Sequence, residues 1–191
     1  MADEYHNLLV ELTCGDDARA EPAVAKLAEL GVEILPSLKA LLDSTEMDSR
    51  WWAIRTLAQM EKPPSAWLIV ALSDPAAEVR QCAALAIYHH SSADAIPALI
   101  RMLAEPDPIS TELAADALSA LGSEAVPALL AALEGGSHKT RLEVVRSLAN
   151  IGDERAIPAL MDAYEEDSLS MQYWAEKGFE RLGLDTIYIS P

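Results

Sequence analysis

Ile96-Pro97-Ala98-Leu99, Val126-Pro127-Ala128-Leu129 and Ile157-Pro158-Ala159-Leu160 are three copies of one tetrapeptide. Pro97 and Pro127 lie 30 residues apart, and Pro127 and Pro158 lie 31 apart. Leu35-Pro36-Ser37-Leu38 is a weaker copy, and Ser65-Ala66-Trp67-Leu68 a degenerate one. A period of this size makes each copy one supersecondary unit, stacked on its neighbours rather than folded round one globular core.

A second apolar segment precedes each copy. It reads Val79-Arg80, Ala83-Ala84 and Ala86-Ile87 in one repeat, and Thr140-Arg141, Val144-Val145 and Ser147-Leu148 in another. Counted from the Arg position, small or apolar residues fall at +3, +4, +7 and +10, which is one face of an α-helix. Ala20, Arg50, Arg80, Thr111, Arg141 and Gln172 occupy the Arg position. Gly31, Gly122, Gly152 and Gly183 stand at +11, where glycine ends a helix cheaply; Glu61 and Ser91 replace it in two repeats. Each proline then opens a second helix, since a first turn does not need its missing N–H. From each proline, or from Ala66, the next Arg position follows after 14 residues. Length differences therefore fall in the loop inside the repeat.

This pattern resembles a run of HEAT-like repeats of the short, phycobilisome-lyase type, from about residue 17 to residue 183. The resemblance implies an all-α, right-handed α-solenoid of about five repeats with partial repeats at both ends. It gives one domain over residues 1–191: a half repeat at 1–16, five repeats at 17–167, and a capping helix with an extended tail at 168–191. The tail is β-branched and aromatic through Thr186, Ile187, Tyr188 and Ile189. The resemblance also implies that Arg50, Arg80 and Arg141 form a structural ladder, bonding acids or carbonyls between repeats. It says little about function, because such a fold hosts many activities.

Composition removes several classes. The net charge is −17, from 31 Asp and Glu against 14 Lys and Arg. Nucleic acid is held by neutralising phosphates with a basic stripe, and anionic membranes need the same, so neither is an expected partner. Alkylpurine DNA glycosylases use HEAT-like helices but carry a basic groove that is lacking here. Proteins or peptides of basic or mixed apolar and basic surface fit better. Cys14 and Cys82 lie in different repeats, which points to a reducing compartment and a cytoplasmic protein. Neither a signal peptide nor an apolar run long enough to span a membrane is visible.

The candidate chemistry is thin. His89 and His90 are adjacent, so they point in different directions from a helix, and His90 stands at a +10 core position. Deoxyhypusine hydroxylases, HEAT-like metalloenzymes, use His-Glu pairs; no His-Glu dipeptide occurs here. Cys82 has no visible base to activate it. Glu165-Glu166-Asp167 lacks the alternating ligand spacing of a calcium loop and reads as a solvated helix end. No catalytic residue, metal or cofactor is expected.

The remaining signal is a stripe on the second helices. In a HEAT-like stack these line the concave face, with the residue after the proline and the one three later exposed. Trp67, Val70, Ala98, Arg101, Ala128 and Asp162 belong to that stripe. An apolar stripe with a tryptophan and an arginine is a surface of the kind that carries binding energy. Trp51 and Trp52, at +1 and +2 of a first helix, place at least one indole partly in solvent, against a neighbouring repeat or a second copy of the chain. The sequence thus reads as a non-enzymatic scaffold presenting a concave groove to a protein or peptide. The alternative, from the resemblance, is a bilin lyase or lyase-like subunit holding a tetrapyrrole and a phycobiliprotein. A metal-dependent hydroxylase ranks below both.

Overall fold

The computed structural model describes residues 2–184, the first three of them by backbone alone. The expected extended tail through Thr186–Ile189 lies outside the described residues. The described residues fold into helices, and the class is the one the repeats imply: all-α, of the α-solenoid type. The chain divides into two compact units, Met1–His90 and Ser91–Pro191.

The first unit holds α1 (Ala2–Leu12), α2 (Asp17–Glu29), α3 (Leu35–Leu42), α4 (Met47–Gln59), α5 (Ser65–Ala71) and α6 (Ala77–His89). Here α1 lies in the stretch read as a half repeat and packs on α2. The second unit holds α7 (Ile96–Met102), α8 (Pro108–Leu121), α9 (Val126–Leu133), α10 (His138–Ile151), α11 (Ile157–Glu165) and α12 (Leu169–Arg181). Within each unit, first and second helices alternate and pack on those of the neighbouring repeats.

The helical periodicity explains the packing. The +3, +4 and +7 residues of the first helices are buried in successive repeats, as with Ala53, Ile54 and Leu57 on α4 and Val144, Val145 and Leu148 on α10. Leu38, Leu68, Leu99, Leu129 and Leu160 form the matching row on the second helices, each fully buried. Small residues let the helices approach closely: a side chain at Gly178 would collide with Leu160 at 2.6 Å. The +4 row is apolar until α12, where Glu176 is exposed.

Local chemistry sets the boundaries. Asp16, Asp107 and Ser137 each accept a backbone N–H at the start of the helix that follows. Pro36, Pro97, Pro127 and Pro158 all sit in the first turn of a second helix. Gly122 and Gly152 leave their helices at φ 64° and 68°. The repeats with Glu61 and Ser91 instead of glycine end differently. Met60 turns extended at φ −70° and ψ 144°, while His90 closes its helix at φ −112° and ψ 27°. Short 3-10 turns at Gly31–Ile34, Ala93–Ala95, Gly122–Glu124 and Glu154–Ala156 fill the loops inside four repeats. The motif pattern does not show these turns.

Candidate functional site

The three arginines at the repeat position make these contacts. Arg50 grips Asp74 with two parallel bonds, Nε to Oδ2 at 2.7 Å and Nη2 to Oδ1 at 2.8 Å. Its Nη1 donates to the carbonyls of Ser44 and Thr45 at 3.1 and 3.0 Å. Arg80 repeats the second contact, donating to the carbonyls of Asp74 and Pro75 at 2.8 and 3.2 Å. Arg141 pairs with Glu166. Where Gln172 takes the ladder position it keeps the carbonyl contact, donating to Glu166 O at 2.8 Å. Arg50, Arg80 and Gln172 therefore clamp the loop that leads into their own helix, while Arg50 and Arg141 also reach an acid of the next repeat. Burial alone would raise the pKa of Asp74. The hydrogen bonds from Arg50 and from the Ala76 N–H, with the charges of Arg50 and Arg80, outweigh that and hold it below its ordinary value.

The second-helix stripe is only partly as expected. Val70 is 74 % exposed, and Arg101 and Asp162 are exposed. Trp67 and Ala128 are half-buried, while Ala98 is only 5 % exposed. Ala98 is therefore withdrawn from the surface stripe. The exposed rows are the proline position and the residue four later, which lie one above the other on a helix. The residue after the proline sits beside the buried leucine row instead. Trp67 and Val70 lie on α5 of the first unit. Arg101, Ala128 and Asp162 lie on α7, α9 and α11 of the second.

The other candidates take structural positions. Trp52 is buried at 7 % exposure and packs edge-on to the half-buried Trp51, with ring centroids 4.7 Å apart. His90 places Nε2 2.8 Å from the carbonyl of Ala58, a loop-edge histidine. Burial pushes the Cys82 thiol up to about 12, far from a nucleophile's range. Glu166, in the acidic run, serves Arg141. Among the described residues, no three His, Cys, Asp or Glu side chains gather where they can hold a metal ion. Among them, too, no helix is long and apolar enough to cross a membrane.

Concavities occur in both units. In the first, a groove of about 490 Å³ runs between the C-terminal ends of α2 and α4, lined by Ala28, Glu29, Val32, Met60 and Lys62 among others. In the second, about 440 Å³ opens beside Asp162, with Arg141, Ala159 and Glu166 in its wall. A third groove, of about 340 Å³, lies between α10 and α12 and is lined by Ala149, Asn150, Trp174, Lys177, Glu180 and Arg181. The motif reading missed this last one. Its signal is the helical spacing of Trp174, Lys177 and Arg181, which puts an indole and two cations on one face.

The family model described as HEAT repeats matches residues 35–119, 64–140 and 106–179. The phycobilisome maturation protein of Synechococcus elongatus is 39 % identical over 105 residues, covering 54 % of this chain and 50 % of that protein. The bilin biosynthesis protein RpcF of a Synechococcus species is 38 % identical over 92 residues, 48 % of this chain and 44 % of that protein. The phycocyanobilin lyase subunit beta of a Nostoc species is 37 % identical over 89 residues, 46 % and 44 % of the two chains. This chain thus spans about half the length of the curated relatives it matches. Among solved structures, a designed armadillo repeat protein in complex with the peptide (KR)4 aligns with TM-score 0.53 at 18 % identity, over 92 % of this chain and 98 % of that one. An engineered protein aligns with TM-score 0.56 at 21 % identity, over 93 % and 98 %. These structures support the fold alone. The relatives overturn the expectation of a non-enzymatic scaffold, because their names are those of lyase subunits and bilin biosynthesis.

Proposed function

We propose that this chain, which belongs to the HEAT-repeat family, is a bilin lyase or lyase-like subunit that holds an open-chain tetrapyrrole against a phycobiliprotein. The observation that carries this reading is the identity of 37–39 % to a phycobilisome maturation protein, a bilin biosynthesis protein and a phycocyanobilin lyase subunit beta, over about half of each chain. The geometry fits a holding role. His90 lies against the Ala58 carbonyl and burial pushes the Cys82 thiol up, so the role assigned to this chain is to bind and orient the bilin and its acceptor. A cytoplasmic location and a phycobiliprotein partner go with this reading. Trp67 and Val70 on the first unit, and Arg101, Ala128 and Asp162 on the second, are the proposed contact positions.

The test is reconstitution. A phycobiliprotein subunit and its bilin are produced together with this chain, with and without a second lyase subunit. Covalent bilin is then read by zinc-induced fluorescence on a denaturing gel. We expect labelled acceptor only where this chain is present, and less of it with Trp67→Ala. Equal labelling without the chain, or none in either arrangement, overturns the reading.

A further inference from the structure

We infer that the groove between α10 and α12 binds one carboxylate-bearing ring of the bilin, with Arg181 gripping the propionate and Trp174 backing the ring. This deepens the lyase reading and rests on it.

Charge is the first argument. In a chain of net charge −17, a basic pocket is against the trend. Most cations here are committed: Arg19, Arg55, Arg146 and Arg155 each face a carboxylate. The α10–α12 groove holds two cations and one acid. Glu180 is taken by Lys177, whose Nζ donates to Oε2 at 2.7 Å. Arg181 makes no hydrogen bond or ion pair among the described residues. A carboxylate is the complement that this groove lacks.

Positioning is the second argument. The stem of Arg181 runs over Gly152, where a Cβ would come within 2.9 Å of Cγ and Cδ. The bare glycine leaves the stem room to lie against the end of α10, which brings the exposed guanidinium to the groove. A guanidinium fork there suits the two oxygens of a carboxylate. Lys177 is held as well, by Glu180 and by the Tyr173 ring, 5.9 Å from its Nζ. Trp174 is half-buried, lines the groove and stands edge-on to Tyr173 at 5.2 Å. At about 340 Å³ the groove takes one pyrrole ring with its propionate, and the rest of the tetrapyrrole lies outside it.

The experiment titrates the full chain with biliverdin and with biliverdin dimethyl ester, following absorbance. The ester keeps the ring system and removes the charges. We expect the acid to bind about tenfold more tightly than the ester, the worth of one charge-assisted pair. Arg181→Gln should erase that preference by weakening the acid alone. Lys26→Gln, an exposed cation on α2, should leave both affinities unchanged. Equal binding of acid and ester, no binding by the wild-type chain, or an Arg181→Gln protein that retains the preference each overturns the inference. The attachment assay reads the lyase role separately. Attachment without dependence on Arg181 keeps the role and removes this site; Arg181-dependent binding without attachment keeps the site and removes the role.

Discussion

Arg50 and Asp74 show how much of one repeat rests on two side chains. Both are nearly enclosed, at 12 % and 10 % side-chain exposure, and Asp74 also accepts the Ala76 N–H at 2.9 Å. Asp74→Asn breaks the bidentate pair and leaves Arg50 half-satisfied, at a cost of about 1–3 kcal/mol. Arg101→Ala, at an exposed position, should stay within about 0.5 kcal/mol. Thermal melts of the two variants check the order. The pH dependence has a definite sign. A carboxyl depressed in the folded state adds stability that is present above its unfolded pKa and is lost as pH falls through the folded value. The gap in melting temperature between wild type and Asp74→Asn should therefore be full at pH 7 and close below about pH 4. A gap that persists at low pH would mean that Asp74 acts through packing. Cys82 gives a second residue-level test. With its thiol near 12 through burial, iodoacetamide at pH 8 should modify Cys14 well before Cys82 in the native protein, as read by peptide mass mapping.

At the scale of helices, the loops inside the repeats divide into two kinds. Gly122, at φ 64° and ψ −140°, sits in a region that L residues scarcely enter, with open space around its missing Cβ. Gly122→Ala should therefore cost only backbone strain, about 1–3 kcal/mol. Gly152→Ala meets a positive φ and the Arg181 stem together, so it should lose stability and also the acid-over-ester preference for biliverdin. Denaturant melts of both variants, with the titration, separate the effects. Placing glycine at Glu61 should bring no gain, because Met60 already leaves its helix through an extended conformation. The sequence was legible here to different depths. The prolines and glycines recur because each does a fixed geometric task, so the helix boundaries could be read to within a residue or two. The 3-10 turns carry no residue type of their own and could not. The exposure of the second helices was half-legible. Val70, Arg101 and Asp162 were placed correctly. Ala98 was not, because an alanine reads the same on a floor or in a core, and only the packing of Leu99 beside it decides which.

At the scale of the whole chain, charge and its distribution decide what can approach. Of the 14 Lys and Arg in the sequence, at least eight stand in ion pairs among the described residues. Few free bases are therefore left against the net charge of −17. Phosphate backbones are bound by releasing counterions to Lys and Arg, roughly one per contact, so affinity needs several free cations in a row. Here Arg181 stands beside a single neighbouring cation, and Arg101 lies on another helix layer. A lone fork can hold one carboxylate in a groove with an aromatic wall, but it cannot track a polymer of phosphates. We expect no shift of duplex or single-stranded DNA at micromolar protein in moderate salt, by gel mobility or fluorescence anisotropy. The same protein should still prefer biliverdin over its ester under those conditions. Salt-sensitive DNA binding at micromolar protein would show that the ion pairs open to free their arginines, and the carboxylate selectivity of the α10–α12 groove would then have no basis in charge.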